Sequence, residues 1–119
     1  MSIRFALTMS LVAFLLSFAG MARAADTAVI IVSHEVADFG EWKKRFDAGK
    51  EVRKKAGLTE RYVLRDANKP SAVIVVLEAE SVENAKKFAS DSGFRERLKK
   101  ASSTGTADIQ IGTTAEKGR

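Results

Sequence analysis

The 119-residue sequence predicts an α+β domain in which a four-stranded antiparallel sheet carries helices on one face. Two β-branched runs, AVIIV at 28–32 and AVIVVL at 72–77, are apolar at every position. Two further runs, at 58–66 and 106–113, alternate at least partly between apolar and polar residues, and amphipathic helical patterns complete the order β-α-β-β-α-β. Right-handed crossovers then place the first and third strands centrally in a ferredoxin-like plait.

The first strand, from residue 28 to about 36, leads into a helix that Asp38 is expected to cap. Glu41, three residues later, completes a capping box. The pattern predicts a single helix that ends before Gly57, a residue suited to a left-handed stop. Its stripe towards the sheet is expected to contain Phe39, Trp42, Phe46, Val52 and Ala56, with Gly49 filling one step.

The remaining elements follow from local signals. The partly alternating strand at 58–66 ends in a turn at 67–70 that contains the only proline, Pro70. After the apolar third strand, Ser81 is predicted to cap a second helix, which a break at 91–93 interrupts before a last helical piece from 94 to about 101. An edge strand at 106–113 closes the domain, and residues 115–119 are expected to form a loose tail.

Strands that are apolar on both sides favour burial of both sheet faces. Two helical segments cover only one face of a four-stranded sheet. We therefore expect a homodimer in which the open faces of two sheets pack about 10 Å apart. The alternative is a monomer whose open face holds an apolar ligand or the tail.

The N-terminal residues predict a secretory signal peptide. A short basic start precedes the uncharged run FALTMSLVAFLLSFAG at 5–20, and Ala22-Arg23-Ala24 has small residues at the positions that a signal peptidase recognises. We expect cleavage after Ala24, a periplasmic or secreted domain at 25–114, and no stable membrane association after cleavage. An uncleaved anchor is the alternative, although the run is shorter than the roughly 20 residues that span a bilayer.

Charge and cysteine content exclude some classes of function. Removal of residues 1–24 takes away two arginines and lowers the formal net charge from +5 to +3, and the basic clusters stand beside acidic residues. Solvated helix faces explain these clusters better than a nucleic-acid site does, so no nucleic-acid partner is predicted. The chain has no cysteine, so an exported domain of this size must gain stability from apolar burial and association.

The pattern H-x-V-x-D-F-x-x-W-K-x-x-F-D, from His34 to Asp47, resembles the opening of small bacterial proteins of the dimeric α+β barrel superfamily. The similarity continues at further positions: Arg53, Ala56-Gly57, VLRDANKPSAVIVVLE at 63–78, and the helix with Ala85, Phe88 and Ala89. The superfamily includes antibiotic biosynthesis monooxygenase-like proteins, and this sequence is similar to their cyclase-like or monooxygenase-like branch. The resemblance implies a dimer with a ligand cavity between helices and sheet.

The superfamily also contains haem-degrading enzymes, transcription-regulator ligand domains and stress proteins. Haem degradation needs an asparagine and a tryptophan in set places and a downstream histidine ligand. Here the only histidine, His34, is in the first strand, and the only tryptophan, Trp42, is in the first helix. The resemblance therefore does not extend to the haem-degrading site.

His34 is the candidate catalytic residue, because it lies at the carboxyl end of the first strand and can exchange a proton near neutral pH. The second strand runs parallel to the first, so Arg65 and Asp66 should lie at the same rim, about 10 Å away. These two residues are candidate substrate-binding groups. The alternative is that His34 only forms a structural hydrogen bond to the helix start or to the turn at 68–70.

Three aromatic residues are further candidates for substrate binding. Trp42 and Phe46 are expected to face the sheet, as core residues or as cavity lining, and Tyr62 is either a ligand-orienting group or a rim residue. Neither a metal nor a bound cofactor is predicted, because one histidine without cysteine is a poor metal-ligand set and no phosphate-binding glycine loop is present.

The sequence thus supports two functional hypotheses. The first is an exported dimer that binds a small, partly apolar molecule, with cofactor-independent monooxygenase or cyclase-like activity. Such an oxygenase would need a carbanion-forming substrate and a base, for which His34 is the candidate. The second is a non-enzymatic binding or interaction module in which His34 is structural.

Overall fold

The computed structural model describes residues 27–116. Eight elements follow in chain order: β1 (Ala28–Glu35), α1 (Phe39–Ala48), α2 (Lys50–Lys55), β2 (Leu58–Arg65), β3 (Ala72–Ala79), α3 (Val82–Ser90), α4 (Ser92–Ala101) and β4 (Asp108–Thr113). The expected signal peptide and the last three residues of the tail lie outside the described residues. Between residues 27 and 116, no helix has the length and apolar character needed to cross a bilayer.

The four strands form one sheet in the order β2-β3-β1-β4, and every neighbouring pair is antiparallel. The predicted ferredoxin-like fold is therefore confirmed, with both apolar strands at the centre. β1 and β2 point in the same direction, since each is antiparallel to β3. His34 faces Val73 across one strand pair and Val73 faces Arg65 across the next, so the predicted shared rim is also confirmed.

The two sides of the sheet differ in burial because side chains alternate along each strand. Those of β1 and β3 that face the helices are all buried: Ala28, Ile30, Val32, His34, Val73, Val75, Leu77 and Ala79. Their neighbours on the other side are all half-buried. The hydrophobic core therefore lies between the sheet and the helices, and the opposite side has no helical cover in the described residues.

Side-chain caps begin three of the helices. Oδ1 of Asp38 accepts a hydrogen bond from the Glu41 amide at 3.0 Å, and Oγ of Ser81 accepts one from Asn84, also at 3.0 Å. The break expected at 91–93 is a new helix start, where Asp91 Oδ2 accepts from the Phe94 amide at 2.8 Å. Each cap satisfies an amide that the first helical turn leaves without a partner.

The single helix predicted before Gly57 is wrong, because the chain forms two helices that meet at Gly49. The Gly49 amide donates to the Phe46 carbonyl three residues back, at 3.1 Å, which tightens the turn and rotates the following residues. Val52, expected to face the sheet, is consequently 63% exposed. Gly57 ends α2 with φ of +83°, so the predicted left-handed stop is confirmed.

A bulge in β2 decides which side its residues face. The pairing with β3 shifts between Glu60 and Tyr62, so one extra residue, Arg61, is inserted into the strand. Beyond the bulge, Tyr62 pairs with Val76 and lies on the open side of the sheet. An uninterrupted alternation from Leu58 would have turned Tyr62 towards the helices.

Candidate functional site

A cavity of about 660 Å³ lies between the sheet and the helices. The central strands form its floor, and all four helices contribute to its walls. Its apolar lining comes mainly from eight residues: Val32, Val75, Leu77, Trp42, Phe46, Phe88, Phe94 and Leu98. This volume is within the usual range for pockets that enclose a small organic ligand. The space arises because two pairs of short helices, α1 with α2 and α3 with α4, cover the sheet without closing over its centre.

His34 contributes the imidazole on the cavity wall. The residue is only 7% exposed, and neither Nδ1 nor Nε2 has a hydrogen-bond partner among the described residues. Burial in apolar surroundings lowers the pKa of His34, because desolvation disfavours the imidazolium. The ring is therefore neutral near pH 7 and has one nitrogen available to accept a proton. The structural hydrogen bond to the helix start or the turn, considered from the sequence, is not formed within these residues.

Trp42 positions His34 and also lines the cavity, as predicted for a residue on the inward stripe. Its ring meets the imidazole edge-on, with 5.9 Å between ring centroids. Phe46 stacks on Trp42 with 5.0 Å between the ring centroids. The guanidinium carbon of Arg53 lies 3.8 Å from the centroid of the Phe46 ring. This packing restricts the side-chain rotamers, so the cavity wall is largely preformed.

A second, more polar hollow of about 320 Å³ lies beyond His34 at the sheet rim. Its lining includes Ser33, Glu35, Asp66, Thr104, Thr106 and Asp108 as well as His34 itself. His34 therefore borders two environments, an apolar cavity and a hollow with hydroxyl and carboxylate groups. Within it, Glu35 already pairs with Lys69 at 2.9 Å.

Arg65 and Asp66 reach the predicted rim but serve mainly to hold the following turn. Nε of Arg65 donates to the Pro70 carbonyl at 2.9 Å, and its guanidinium lies 4.2 Å above the Phe39 ring. Oδ1 of Asp66 accepts from the amides of residues 68 and 69. Asp66 lines the polar hollow with His34, whereas Arg65 lines neither space.

Tyr62 does not join the cavity. It is 62% exposed on the open side of the sheet, opposite to the helices, because the bulge at Arg61 reverses the alternation of β2. A role for Tyr62 in orienting a ligand in this cavity is therefore incompatible with its position. Tyr62 lies in the middle of the edge strand β2, away from the rim formed by His34, Arg65 and Asp66.

Four basic residues at the cavity were not identified from the sequence as site residues: Arg45, Arg53, Arg97 and Lys100. The basic clusters had been interpreted as solvated helix faces. On α4, Arg97 falls at helical spacing from Phe94 and Ala101, which both line the cavity, so this spacing was an available signal. That Arg45 lines the same cavity depends on how α1 crosses the sheet.

Metal ligation finds no support in the described part of the chain. Between residues 27 and 116, no group of three histidine, aspartate, glutamate or cysteine side chains is close enough to hold an ion.

Comparison with known proteins gives relatives by structure only. No family model matches the sequence, and no curated protein matches it. A single-site variant of SnoaB, a cofactor-independent oxygenase from Streptomyces nogalater, is similar with a TM-score of 0.63 and 15% identity, over 78% of this chain and 97% of that chain. A proposed antibiotic biosynthesis monooxygenase from Caulobacter crescentus has a TM-score of 0.57 and 16% identity, over 78% and 93% of the two chains.

A dimeric ferredoxin-like protein from an uncultured marine organism is also similar, with a TM-score of 0.52 and 16% identity over 79% of this chain and 92% of that chain. At these identities the likeness concerns the fold. The chain shares the ferredoxin-like fold of these proteins, which is the fold that the resemblance noted in the sequence implies.

Proposed function

We propose that this protein binds a small, partly apolar molecule in the cavity between helices and sheet and acts on it as a cofactor-independent monooxygenase or cyclase-like enzyme. His34 is the proposed catalytic base. Trp42 and Phe46 are the proposed contacts for the apolar part of the substrate. Asp66 is proposed to act indirectly, because it lines the polar hollow on the other side of His34 and does not line the cavity.

The observation that carries this proposal is the unpartnered imidazole of His34 on an apolar cavity wall. A buried polar group without a hydrogen bond costs about 1–3 kcal/mol, so a purely structural residue at this position would be better apolar or paired. A ligand with a polar or acidic group next to its apolar body would supply the absent partner. The lowered pKa keeps the ring neutral, which is the form a base requires.

The proposed chemistry begins with transfer of a proton from an acidic C–H of the substrate to His34. The resulting carbanion supplies the electrons that reduce dioxygen, and a carbon-bound hydroperoxide forms once a proton is returned. Loss of water from this hydroperoxide leaves a carbonyl, so one oxygen atom enters the product and the other leaves as water. The apolar walls protect the carbanion from protonation by bulk water until oxygen reacts.

The structural neighbours support this class of reaction. SnoaB is a cofactor-independent oxygenase, and it shares the arrangement of sheet and helices that creates the cavity. Because a fold can host several functions, the neighbour supports the class of chemistry, and His34 provides the specific argument for this chain.

The test uses anthrone, a tricyclic ketone whose methylene group loses a proton to give a conjugated carbanion. Wild-type protein is expected to consume oxygen and form anthraquinone faster than the uncatalysed reaction. His34→Gln, which keeps a side chain of similar size, should reduce turnover by about 10²–10⁴-fold, the usual contribution of a general base. Circular dichroism of both proteins checks that the fold is retained.

The control is Thr59→Ala, which truncates an exposed polar side chain of β2 that lines neither the cavity nor the hollow and should leave turnover unchanged. Equal anthrone oxidation by wild type and His34→Gln would overturn the assignment of His34. Because Trp42 is the only tryptophan in the chain and lines the cavity, quenching of its fluorescence reports binding separately from turnover.

The second candidate is a non-enzymatic binding module. The observation in its favour is the edge-on packing of His34 against Trp42, which is a contact that a purely structural imidazole also makes. This candidate predicts quenching of Trp42 fluorescence by an apolar ligand without any turnover that depends on His34.

The proposed assembly is a homodimer through the open side of the sheet. This side exposes apolar groups that include Tyr62 and Leu64 at 62% and 43% exposure, next to the half-buried Ile31, Ile74 and Val76. Contact between two such faces would leave the helices and the cavity mouth on the outside. The similar marine protein is dimeric, which supports this assembly.

Export is the remaining part of the proposal, and it rests on the basic start, the apolar run and Ala22-Arg23-Ala24. Expression in a bacterium followed by mass spectrometry of the periplasmic fraction tests it. The expected species begins at Ala25. An intact Met1 in membrane fractions would instead identify an uncleaved anchor.

A further inference from the structure

We infer that the ligand of the cavity is an anion, an apolar ring system that carries a carboxylate or a similar acidic group, held at the mouth by Arg45, Arg97 and Lys100. This inference rests on the proposed function and names the chemical class of its substrate. The supporting observation is that the charged residues lining the cavity are all basic, whereas the chain as a whole contains both basic and acidic residues.

The charged residues that line the cavity are all basic. Arg45, Arg53, Arg97 and Lys100 contribute to the lining, whereas no aspartate or glutamate among the described residues does so. The sequence as a whole contains 20 basic and 15 acidic residues, so acidic side chains are common elsewhere. The opening therefore has a positive potential that would attract an anion and repel a cation.

Three of these cations have no partner within the described residues. Arg53 is compensated, since its guanidinium contacts Glu60 at 2.9 Å and lies over the Phe46 ring. Arg45, Arg97 and Lys100 form no ion pair at 4.0 Å or less with a described residue.

Two carboxylates near these cations along the same helices are engaged elsewhere, and Glu96, four residues before Lys100, forms no ion pair at 4.0 Å or less with a described residue. Glu41, one turn before Arg45, contacts Lys44 instead. Asp91 at the start of α4 caps the Phe94 amide. The charge at the mouth is therefore available to a ligand.

The three cations line the cavity from two different helices, and all three are exposed to solvent, which places them where the cavity opens. Arg45 comes from the last turn of α1, and Arg97 and Lys100 come from the second half of α4. Arginine presents a planar fork that matches a carboxylate, and lysine adds a mobile point charge. The apolar walls beneath them, with Trp42 and Phe46 on one side and Phe94 on the other, accommodate an aromatic body.

Cations in the last turn of a helix also have a structural explanation, because they interact favourably with the carbonyl end of the helix dipole. Lys99 allows the two explanations to be separated. It lies next to Lys100 in the same last turn of α4 and is exposed, but it does not line the cavity. The dipole affects both lysines alike, whereas only Lys100 is placed to contact a ligand.

The test compares three probes with one ring system: anthraquinone-2-carboxylate, the neutral anthraquinone-2-carboxamide and the cationic 2-(aminomethyl)anthraquinone. Isothermal titration calorimetry with the full mature chain is expected to rank them carboxylate, amide, amine, with at least about a fivefold preference for carboxylate over amide. Raising the salt from about 0.02 to 0.5 M should weaken carboxylate binding and leave amide binding unchanged, because salt screens exposed charges.

Variants then locate the effect. Arg97→Gln and Lys100→Gln should each weaken carboxylate binding about two- to fivefold, and the double variant about tenfold, with amide binding unchanged. The matched control Lys99→Gln should bind all three probes as the wild type does. An equal loss in Lys99→Gln and Lys100→Gln would overturn the inference in favour of a non-specific effect of helix charge.

The outcomes also separate this inference from the proposed function. Equal binding of carboxylate and amide would overturn the anionic class and leave the cavity as a binding site for apolar molecules. Binding of none of the three probes would overturn both. A carboxylate preference in a protein that does not oxidise anthrone would support the inference and favour the non-enzymatic binding module.

Discussion

The two sides of the sheet differ in what covers them, although the central strands β1 and β3 place apolar side chains on both sides. On the helix side, Ile30 and Val73 are fully buried, and Val32 and Val75 line a cavity with His34 at its wall. On the open side, Ile31 and Ile74 are only half-buried. Apolar side chains on both sides of a strand favour cover on both, and among the described residues the helices cover only one side.

The polar residues of the two sides also differ. On the open side, Arg61 and Glu78 form an ion pair between neighbouring strands. On the helix side, the imidazole of His34 has no partner in the described residues. Paired charges are compatible with the rim of a protein interface, whereas an unpaired buried group is typical of a ligand site. These differences support the proposed assembly on the open side and the proposed chemistry on the helix side.

The largest effect is expected from truncation on the helix side. Ile30→Ala should lower the free energy of unfolding by about 2–5 kcal/mol, because Ile30 is fully buried between Leu77 and Ile111 and the deletion leaves a cavity. Urea denaturation measures the change. The adjacent variant Ile31→Ala should cost less, and its cost should depend on protein concentration, as expected for a dimer contact. If both variants lowered the free energy of unfolding equally and independently of protein concentration, the proposed difference between the two sides of the sheet would be contradicted.

A charge on the open side should prevent association without unfolding the chain. Ile74→Glu places a carboxylate at the centre of the proposed interface and should weaken dimerisation by at least about 2 kcal/mol. Sedimentation velocity at micromolar concentration measures the loss of dimer, and circular dichroism checks the fold. Val52→Glu, a control on the helix side, should remain dimeric. A monomeric wild type would refute the interface.

The pH dependence of stability should reveal the buried imidazole. The pKa of His34 is lowered in the folded state, so the unfolded chain binds a proton first as the pH falls below about 6.5. Wild type should therefore lose stability from pH 7 towards pH 5, beyond any loss seen in His34→Gln. Thermal unfolding of both proteins across this range isolates the contribution of the imidazole. Parallel curves would indicate that the ring is not desolvated.

The smallest effect is expected at Val52. This residue was predicted to face the sheet but is 63% exposed, so Val52→Ser should change the free energy of unfolding by less than about 0.5 kcal/mol. Urea denaturation beside Ile30→Ala gives the comparison. A loss of more than about 1 kcal/mol in the free energy of unfolding would instead support the continuous helical stripe expected from the sequence, with Val52 facing the sheet.

Most of the secondary structure could be predicted because its signals are local. Asp38 and Ser81 cap helices through amides three residues away, and Gly57 adopts the left-handed conformation that its position required. The strand order also followed, because the order of elements and the handedness of crossovers leave few alternatives. The rim shared by His34 and Arg65 was a consequence of that topology.

Two local features could not be predicted because they involve small differences in backbone energy. The helix break at Gly49 depends on whether a glycine continues a turn or tightens it, and neither choice costs much. The bulge at Arg61 inserts a residue without any glycine or proline to indicate it. The first left Val52 exposed at the cavity instead of packed on the sheet, and the second turned Tyr62 to the open side of the sheet.

The site was predictable only in part. His34, Trp42 and Phe46 were identified because one is the only histidine and the others are aromatic residues on a helical stripe. The three cations at the mouth were missed, since their shared position depends on the crossing of α1 and α4 over the sheet. No sequence periodicity records the distance between two helices that are about 50 residues apart.

By itself the sequence determined the elements, their order and the two apolar central strands, because those depend on the chemistry of neighbouring residues. Only the tertiary structure decided that the helices leave a cavity, that His34 has no partner within the described residues, and that the charges lining the cavity are all basic. The physical reason is that packing and electrostatics act between side chains distant in sequence, and their balance is set when the sheet and helices come together.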